Sequence, residues 1–203
     1  MLASTFGPFL KLVWPSWCLL CGLSGPQLCD HCAQKICRKS ERFDPHALSL
    51  TLHQDLAREL VLEAKYGDNY SLARRMGQLM AARLHIPFES ATVIYVPPHR
   101  PGTHRALEQM AKAFAQAKGW PLGPTGRWRR PTPPQKSAAN EIQRQNLPLD
   151  SLIFDEALPQ RVVIIDDVVT TGATLRAAEE AARQAGAQEV FCATFSAAYR
   201  YNE

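Results

Sequence analysis

Residues 162–174, VVIIDDVVTTGAT, decide which fold this sequence predicts. The stretch begins with four β-branched residues, 162–165, and no polar residue interrupts them. Such a run is typical of a strand that is buried on both faces of a parallel sheet. The segment that follows, residues 175–186, has helical composition and ends in Gly186, which favours helix termination. The pattern therefore predicts a loop between the carboxyl end of a buried strand and a helix, where open α/β sheets bind ligands.

The residues of this loop suit a sugar phosphate. A helix start presents unpaired backbone N–H groups and a partial positive charge, which favour a phosphate. The threonines of TTGAT add hydroxyl donors, and Gly172 lets the backbone approach a ligand closely. Asp166 and Asp167, expected where the strand leaves the core, would repel a phosphate, so we expect them to accept hydrogen bonds from vicinal sugar hydroxyls. The alternative is a plain strand–turn–helix unit capped by threonine.

The same stretch resembles the 5-phosphoribosyl-1-pyrophosphate (PRPP) binding motif of type I phosphoribosyltransferases. The shared pattern is an apolar strand, two acids, two small apolar residues and then TTGAT. The resemblance implies that the acids hold the ribose 2′ and 3′ hydroxyls, that TTGAT holds the 5′-phosphate, and that magnesium accompanies PRPP. The implied PRPP-binding residues are Asp166, Asp167, Val168, Val169, Thr170, Thr171, Gly172, Ala173 and Thr174.

Length and composition are compatible with one α/β domain and a small appendage. The 203 residues are 46% hydrophobic and 21% charged, as in an ordinary globular protein. The net charge of +4 permits an anionic ligand or nucleic acid without requiring either. Lys11 and Pro15 interrupt the apolar N-terminus, and no basic region precedes it as in a signal peptide. We therefore expect a cytoplasmic protein with no membrane span.

Four cysteines near the N-terminus have the spacing of a metal site. They form two C-x2-C pairs, seven residues apart, and two such pairs complete a tetrahedral thiolate site for structural zinc. The predicted zinc ligands are Cys18, Cys21, Cys29 and Cys32. Disulfides and a catalytic redox pair are the alternatives, and His31 or Cys37 could replace one ligand. Because so small a module buries little core, the metal would hold it folded.

The remaining elements predict a helix-covered parallel sheet. Residues 54–66 and about 71–84 have helical spacing and should cover one face. A strand at 92–96, a helix at about 104–118 and a last strand at 189–195 complete the pattern. Lys65 either approaches the pyrophosphate end of the ligand or is a solvated surface lysine.

Two basic regions are candidates for anion binding. Arg100 and Arg105 follow strand 92–96 and could hold the pyrophosphate; the alternative is that they only cap or flank the next helix. Residues 126–146 are rich in arginine and proline, which predicts an exposed, partly extended segment. This segment could close over an anionic ligand, lie along single-stranded DNA with a stacking ring, or be a solvated loop. Its candidate contacts are Arg127, Trp128, Arg129, Arg130, Gln135, Lys136 and Arg144.

Together these features resemble the ComF family, in which a cysteine-rich zinc knuckle is fused to a phosphoribosyltransferase-type domain and linked to natural competence. The family's arginine-rich loop pattern, R-x-T-x-x-Q ending in R-x-N, is matched at residues 130–135 and 144–146. Residues 105–109, RALEQ, depart from its Arg-Gly-Phe-Asn-Gln. Glu108 would weaken a pyrophosphate site there unless magnesium lay between them.

The sequence thus predicts an α/β, parallel-sheet phosphoribosyltransferase-type domain at residues 50–203 and an N-terminal zinc knuckle region at residues 1–49. The ComF resemblance implies a PRPP-binding protein that handles transforming single-stranded DNA, with a competence helicase or recombination proteins as further partners. One alternative is a salvage phosphoribosyltransferase that acts on a free base. Another is a DNA-binding or adaptor module with a relic nucleotide site. Catalysis is left open, because no residue stands out as a general base.

Overall fold

The structure is a computed structural model that describes residues 17–37, 41–44, 47–98, 105–129 and 148–198. The described helices are α1 (Asp30–Ile36), α2 (Asp55–Tyr66), α3 (Tyr70–Arg83), α4 (Ala106–Lys118) and α5 (Ala173–Gln184). The described strands are β1 (Glu41–Asp44), β2 (Ala47–Leu52), β3 (Thr92–Tyr95), β4 (Arg127–Trp128), β5 (Leu152–Ile153), β6 (Arg161–Val169) and β7 (Glu189–Ala197). A 3₁₀ turn, Leu149–Ser151, precedes β5.

Five of these strands form one sheet in the order β1-β2-β7-β6-β3. β2, β7, β6 and β3 are parallel, and β1 joins the edge antiparallel to β2. In register, Val163 of β6 lies between Val93 of β3 and Phe191 of β7. Because parallel strands end at the same edge, the loop after β6 emerges among the ends of β2, β7 and β3. The predicted α/β parallel sheet is confirmed.

Helices cover both faces of this sheet. On one face, α2, α3 and α4 contribute Leu60, Met76 and Phe114 to a core that includes Val163 and Phe195. On the other face, α5 packs its alanines and a leucine onto the second side of β6. The two predicted helices at 54–66 and 71–84 are thus confirmed on one face, where α4 joins them.

The close packing of α3 against α4 depends on a glycine in α3. A β-carbon at Gly77 would lie 2.1 Å from the carbonyl oxygen of Met110 in α4. Hydrogen there lets the two helix backbones approach each other, which an alanine would prevent.

Two of the predicted boundaries require correction. β6 is longer than the predicted strand 162–165 and contains both aspartates, since its pairing with β7 continues to Val169 beside Ala197. The ladder to β7 therefore extends beyond the apolar run from which the strand was predicted. Residues 127–128 are also not irregular, because β4 pairs antiparallel with β5.

The N-terminal cysteine segment packs against α3. Arg75 donates from Nε to the carbonyl oxygen of Leu28 at 2.8 Å and from Nη2 to Asp30 at 2.7 Å. Arg83 donates to the carbonyl oxygen of Ala33 at 3.1 Å. Leu28 and Ala33 belong to the same core as α2–α4. The proposed domain boundary between residues 49 and 50 falls within β2, which is part of the main sheet.

Within the part of the chain that the structure describes, no helix combines the length and the hydropathy that crossing a membrane requires.

Candidate functional site

The loop from β6 to α5 has a defined conformation. Gly172 precedes the first residue of α5 with a φ of 69° and a ψ of −3°, a left-handed conformation that favours glycine. The Thr171 side-chain oxygen accepts from the N–H of Ala173 at 3.3 Å, and Arg176 donates to the Thr171 carbonyl oxygen at 3.0 Å. Thr170 is exposed, whereas Thr171 and the residues after it are half-buried or buried. These contacts fix the chain at the start of α5, where first-turn amides lack helical partners.

The two aspartates at the end of β6 have different surroundings. Asp166 is only 8% exposed, and its Oδ1 accepts from the backbone N–H of Asp167 at 2.9 Å. Burial raises the pKa of Asp166 to about 8, the Asp167 carboxylate adds to the rise, and Lys65 opposes it. Asp166 is therefore largely protonated at neutral pH in the ligand-free protein. Its carboxyl group can then donate as well as accept a hydrogen bond.

Asp167 forms an ion pair with Lys65. Lys65 Nζ lies 3.0 Å from Asp167 Oδ2, with the two side chains 33% and 13% exposed. Burial alone would lower the pKa of Lys65, but the Asp167 carboxylate beside it, helped by Asp166, outweighs burial and raises that pKa. Lys65 is therefore paired with Asp167 rather than a solvated surface lysine, and its approach to a pyrophosphate stays a prediction.

The ion pair borders a small cavity with otherwise apolar walls. Successive residues of a strand point to opposite faces, so Asp167 shares the face of Val163 and Ile165, which α2–α4 cover. The other residues that line this cavity are Val61, Ala64, Met76, Ala106, Leu107 and Met110. Weak solvation by such walls strengthens the attraction between the two charges.

A polar cluster beside Asp167 was not predicted from the sequence. His53 Nδ1 lies 3.0 Å from Ser196 Oγ, and that hydroxyl donates to the carbonyl oxygen of Asp167 at 3.5 Å. Ser49 and Thr194 share a buried hydrogen bond of 2.6 Å across β2 and β7. Burial lowers the pKa of His53, although Asp167 acts in the opposite direction. The sequence feature that could have indicated this cluster is the presence of serine and threonine within otherwise apolar strands.

The basic residues predicted to bind anions are distributed over several elements. Arg105 is exposed and directly precedes Ala106, a wall of the cavity. Arg127 forms two hydrogen bonds to Asp155, at 2.8 and 3.0 Å. Arg129 is exposed, and its backbone N–H donates to Ser151 at 2.8 Å.

Trp128 is part of the folded core rather than of a free loop. Its indole N–H donates to the carbonyl oxygen of Pro97 at 2.9 Å, and its ring packs against the core beneath α5. The remaining candidates lie outside the described residues: Arg100, Arg130, Gln135, Lys136 and Arg144.

The four predicted zinc ligands come together. The sulfur atoms of Cys18, Cys21, Cys29 and Cys32 all lie within 4.8 Å of one another, and the Cys21 and Cys29 sulfurs are 3.8 Å apart. A tetrahedral site with Zn–S bonds of about 2.3 Å separates its sulfurs by about 3.8 Å, so the cluster fits zinc. The same separation excludes a disulfide between Cys21 and Cys29, because that bond is about 2.05 Å long.

The protonation of this cluster also suits a cation. Hydrogen bonds from backbone N–H groups overcome burial and lower the pKa of Cys18 to about 6, whereas burial and the neighbouring thiols raise the pKa of Cys32 to about 12. The Cys32 thiol therefore keeps its proton near neutral pH unless a positive charge lies beside it. The group within this distance contains neither His31 nor Cys37.

Comparison with known proteins identifies the type of domain. Residues 125–201 match the family described as "Phosphoribosyl transferase domain". The α/β domain therefore has the phosphoribosyltransferase-type fold, as the sequence predicts. No curated protein matches the chain.

The solved structures that are similar to the chain include two enzymes. One is the allosteric regulatory enzyme of purine biosynthesis, with 22% identity. The other is glutamine PRPP amidotransferase from B. subtilis complexed with ADP and GMP, with 23% identity. Each alignment has a TM-score of 0.45 and covers 66% of this chain. The chain matches only 30% of the length of each of these proteins.

Proposed function

We propose that this protein binds PRPP with magnesium through the carboxyl edge of its sheet, and that it does so in the natural competence machinery. In this proposal it assists the import or handling of transforming single-stranded DNA in the cytoplasm. The PRPP part is supported by the site and by the family match at residues 125–201. The competence part is supported by the resemblance to the ComF family.

The PRPP proposal rests on one observation: carboxyl groups and the amides at a helix start lie close together around one loop. Asp166 and Asp167 lie near the carboxyl end of β6, and the left-handed Gly172, five residues after Asp167, directly precedes α5. Carboxyl oxygens suit the ribose diol, whereas unpaired amides at the start of a helix suit the 5′-phosphate. A ribose 5-phosphate has these two groups at opposite sides of one small ring.

Each residue has a distinct part in the proposed complex. The amides and hydroxyls of residues 170–174 bind the 5′-phosphate, and Arg176 positions them through the Thr171 carbonyl. Asp167 accepts hydrogen bonds from the diol. The buried Asp166 supports it, because its Oδ1 accepts from the backbone N–H of Asp167. Arg105 directly precedes Ala106, which lines the cavity, and in this proposal it binds the pyrophosphate. Magnesium, when bound, offsets the negative charge of that pyrophosphate.

The cysteine cluster has a structural part in this proposal. Zinc on the four thiolates would hold the knuckle folded, and Arg75 joins the knuckle to α3. Because α3 packs in the same core as α2, the knuckle would stabilise the helix that positions Lys65.

The DNA part of the proposal rests on the arginine-rich segment 126–146. Arg127 is already paired with Asp155. Among the described arginines of this segment, we therefore assign the contact with DNA mainly to the exposed Arg129. The other arginines of the segment are outside the described residues.

Calorimetry with the whole chain tests the proposal. We expect saturable binding of PRPP in the presence of magnesium, and loss of that binding in the double variant Asp166→Asn, Asp167→Asn with the thermal transition retained. Asp155→Asn changes an exposed carboxylate outside the loop; it serves as the matched control and should bind as the wild type does.

Other results point to the alternatives. Saturable binding together with release of pyrophosphate on adding free bases would favour a salvage phosphoribosyltransferase. No saturable binding by the wild type would refute the proposal and favour a relic site. Unchanged affinity in the double variant would refute the assignment of the diol to the two aspartates.

A further inference from the structure

A hydrogen-bonded pair, His53 with Ser196, lies at the carboxyl ends of β2 and β7 and has no part in the proposed complex. His53 directly follows β2, and its backbone N–H donates to the carbonyl oxygen of Ala197 at 2.7 Å. Its side chain reaches the preceding residue of β7, since Nδ1 lies 3.0 Å from Ser196 Oγ. The ring of His53 is therefore fixed to β7 through both its main chain and its side chain.

The hydrogen bonds of this pair continue to Asp167. The Ser196 hydroxyl donates to the carbonyl oxygen of Asp167 at 3.5 Å. Because a hydroxyl has one proton, Ser196 then accepts from Nδ1–H of His53. The backbone N–H of Asp167 donates in turn to Asp166 Oδ1 at 2.9 Å. Polar side chains thus hold the peptide groups on both sides of the Asp167 α-carbon, which restricts the direction of its carboxylate.

From this geometry we infer that His53 is a positioning residue: with its proton on Nδ1, it acts through Ser196 to hold Asp167 in the orientation that binds the ribose diol. This inference rests on the proposed function. It does not require the ion pair between Lys65 and Asp167 to break.

The burial of Ser196 supports this role. The residue is 0% exposed, so water does not replace the partners of its hydroxyl. A buried hydroxyl is unfavourable unless it is hydrogen-bonded, and an apolar side chain at this position would avoid that cost. The hydrogen bonds that satisfy the hydroxyl are those to His53 and to Asp167, a residue of the candidate site.

The charge state of His53 also suits a positioning residue. Burial lowers its pKa and outweighs the opposing Asp167 carboxylate, and the charges of Arg58 and Lys65 lower that pKa further. The ring is therefore uncharged at neutral pH. It can donate a hydrogen bond to Ser196 without bringing a further cation to Asp167, whose negative charge strengthens hydrogen bonds from sugar hydroxyls.

Two amide variants distinguish the two nitrogens of the ring. The side-chain nitrogen of His53→Asn is bonded to Cγ, as Nδ1 is, so it can still donate to Ser196. The nitrogen of His53→Gln is one bond further out, as Nε2 is, so the hydrogen bond to Ser196 is lost.

Calorimetry with PRPP and magnesium measures the effect of each variant. We expect His53→Asn to bind nearly as the wild type does and His53→Gln to bind about fivefold more weakly, as for one modest hydrogen bond. Ser196→Ala should show the same loss, and adding His53→Gln to it should cause no further loss, because both changes break one chain of contacts. His85→Gln is the matched control, since His85 is exposed and lies outside the site, and it should leave the affinity unchanged.

The position of the proton can be measured without a ligand. Nitrogen NMR of the wild type at about pH 8, where histidine is uncharged, should show the His53 proton on Nδ1. The spectrum of His53→Asn identifies the His53 signal by its loss. A proton on Nε2 would overturn the inference whether or not PRPP binds.

The binding results separate this inference from the proposed function. If the wild type does not bind PRPP, the proposed function is refuted. If the wild type binds PRPP and both His53→Gln and Ser196→Ala keep its affinity, the pair only joins β2 to β7 and the inference is overturned, even where thermal unfolding shows a loss of stability. It is also overturned if His53→Gln keeps the affinity and His53→Asn loses it, because the ring would then act through Nε2.

Discussion

The protonation of Asp166 gives a prediction that needs no ligand. Burial raises the pKa of this carboxyl group from 3.8 to about 8 in the folded protein. Between these values the native protein binds a proton that the unfolded chain has released. Stability contributed by the protonated group is thus fully present below about pH 4 and is lost as the pH rises through about 8.

The magnitude follows from the width of that interval. One bound proton changes the free energy of unfolding by ~1.4 kcal/mol per pH unit, so the wild type should lose about 2 kcal/mol between about pH 5.5 and 7.5. Asp166→Asn keeps an oxygen acceptor for the Asp167 N–H and has no proton to lose. We expect the stability of the variant relative to the wild type to increase by about 2 kcal/mol from pH 5.5 to pH 7.5.

The assay is urea unfolding of both proteins at several pH values in this range, with the difference in free energy plotted against pH. All other titratable groups are common to both proteins, so the difference reports on residue 166. Asp155→Asn is the control. The ion pair with Arg127 lowers the pKa of Asp155, so the stability that this carboxylate contributes is lost only in acid, below the pH range of the assay. Parallel profiles for the wild type and Asp166→Asn would refute a neutral, buried Asp166.

Three further predictions concern the knuckle and the basic segment. Elemental analysis of reduced, untagged protein should find about one zinc per chain, and Cys32→Ser should lose it; a metal-free wild type would remove the zinc site. Arg75→Met should lower the free energy of unfolding by about 1–3 kcal/mol through loss of its hydrogen bonds to the knuckle, whereas the exposed Lys35→Met should not; equal stability of the two would contradict the packing. Binding of single-stranded DNA should weaken steeply with salt, and Arg129→Gln should reduce the slope by about 0.7 for one lost phosphate contact; salt-insensitive binding would exclude this segment as the contact.

The parts of the fold that follow from local pattern were predictable from the sequence. The β-branched run at 162–165 and the helical spacing at 54–66 each indicate their element without knowledge of the partners. The cysteine spacing likewise predicts which sulfurs meet, because two short C-x2-C turns confine four ligands to one site.

Contacts between distant residues were not predictable in this way. β6 extends to Val169 because β7 pairs with it, and nothing within β6 itself signals that extension. The ion pair of Lys65 with Asp167 joins residues that are distant in sequence, so only the packing of α2 on the sheet brings them together. The basic composition near Trp128 predicted an exposed segment, but the pairing of β4 with β5 buries part of that ring.

In the candidate site, too, local features were predictable and contacts between distant residues were not. The TTGAT sequence predicts the loop, and Gly172 adopts the left-handed conformation that such a turn needs. The burial of Asp166, and therefore its proton, depends on neighbours from other elements. His53 and Ser196 form part of the site for the same reason, since β2 and β7 are adjacent only in the folded sheet.

The most direct test of the central claim is a crystal structure of the protein soaked with PRPP and magnesium. We expect the 5′-phosphate on the backbone amides of residues 170–174 and the ribose diol within hydrogen-bond distance of Asp167, with Asp166 beneath it. Density for PRPP at any other place would contradict the claim. Crystals soaked at saturating PRPP that show no ligand at residues 166–174 would contradict it as well.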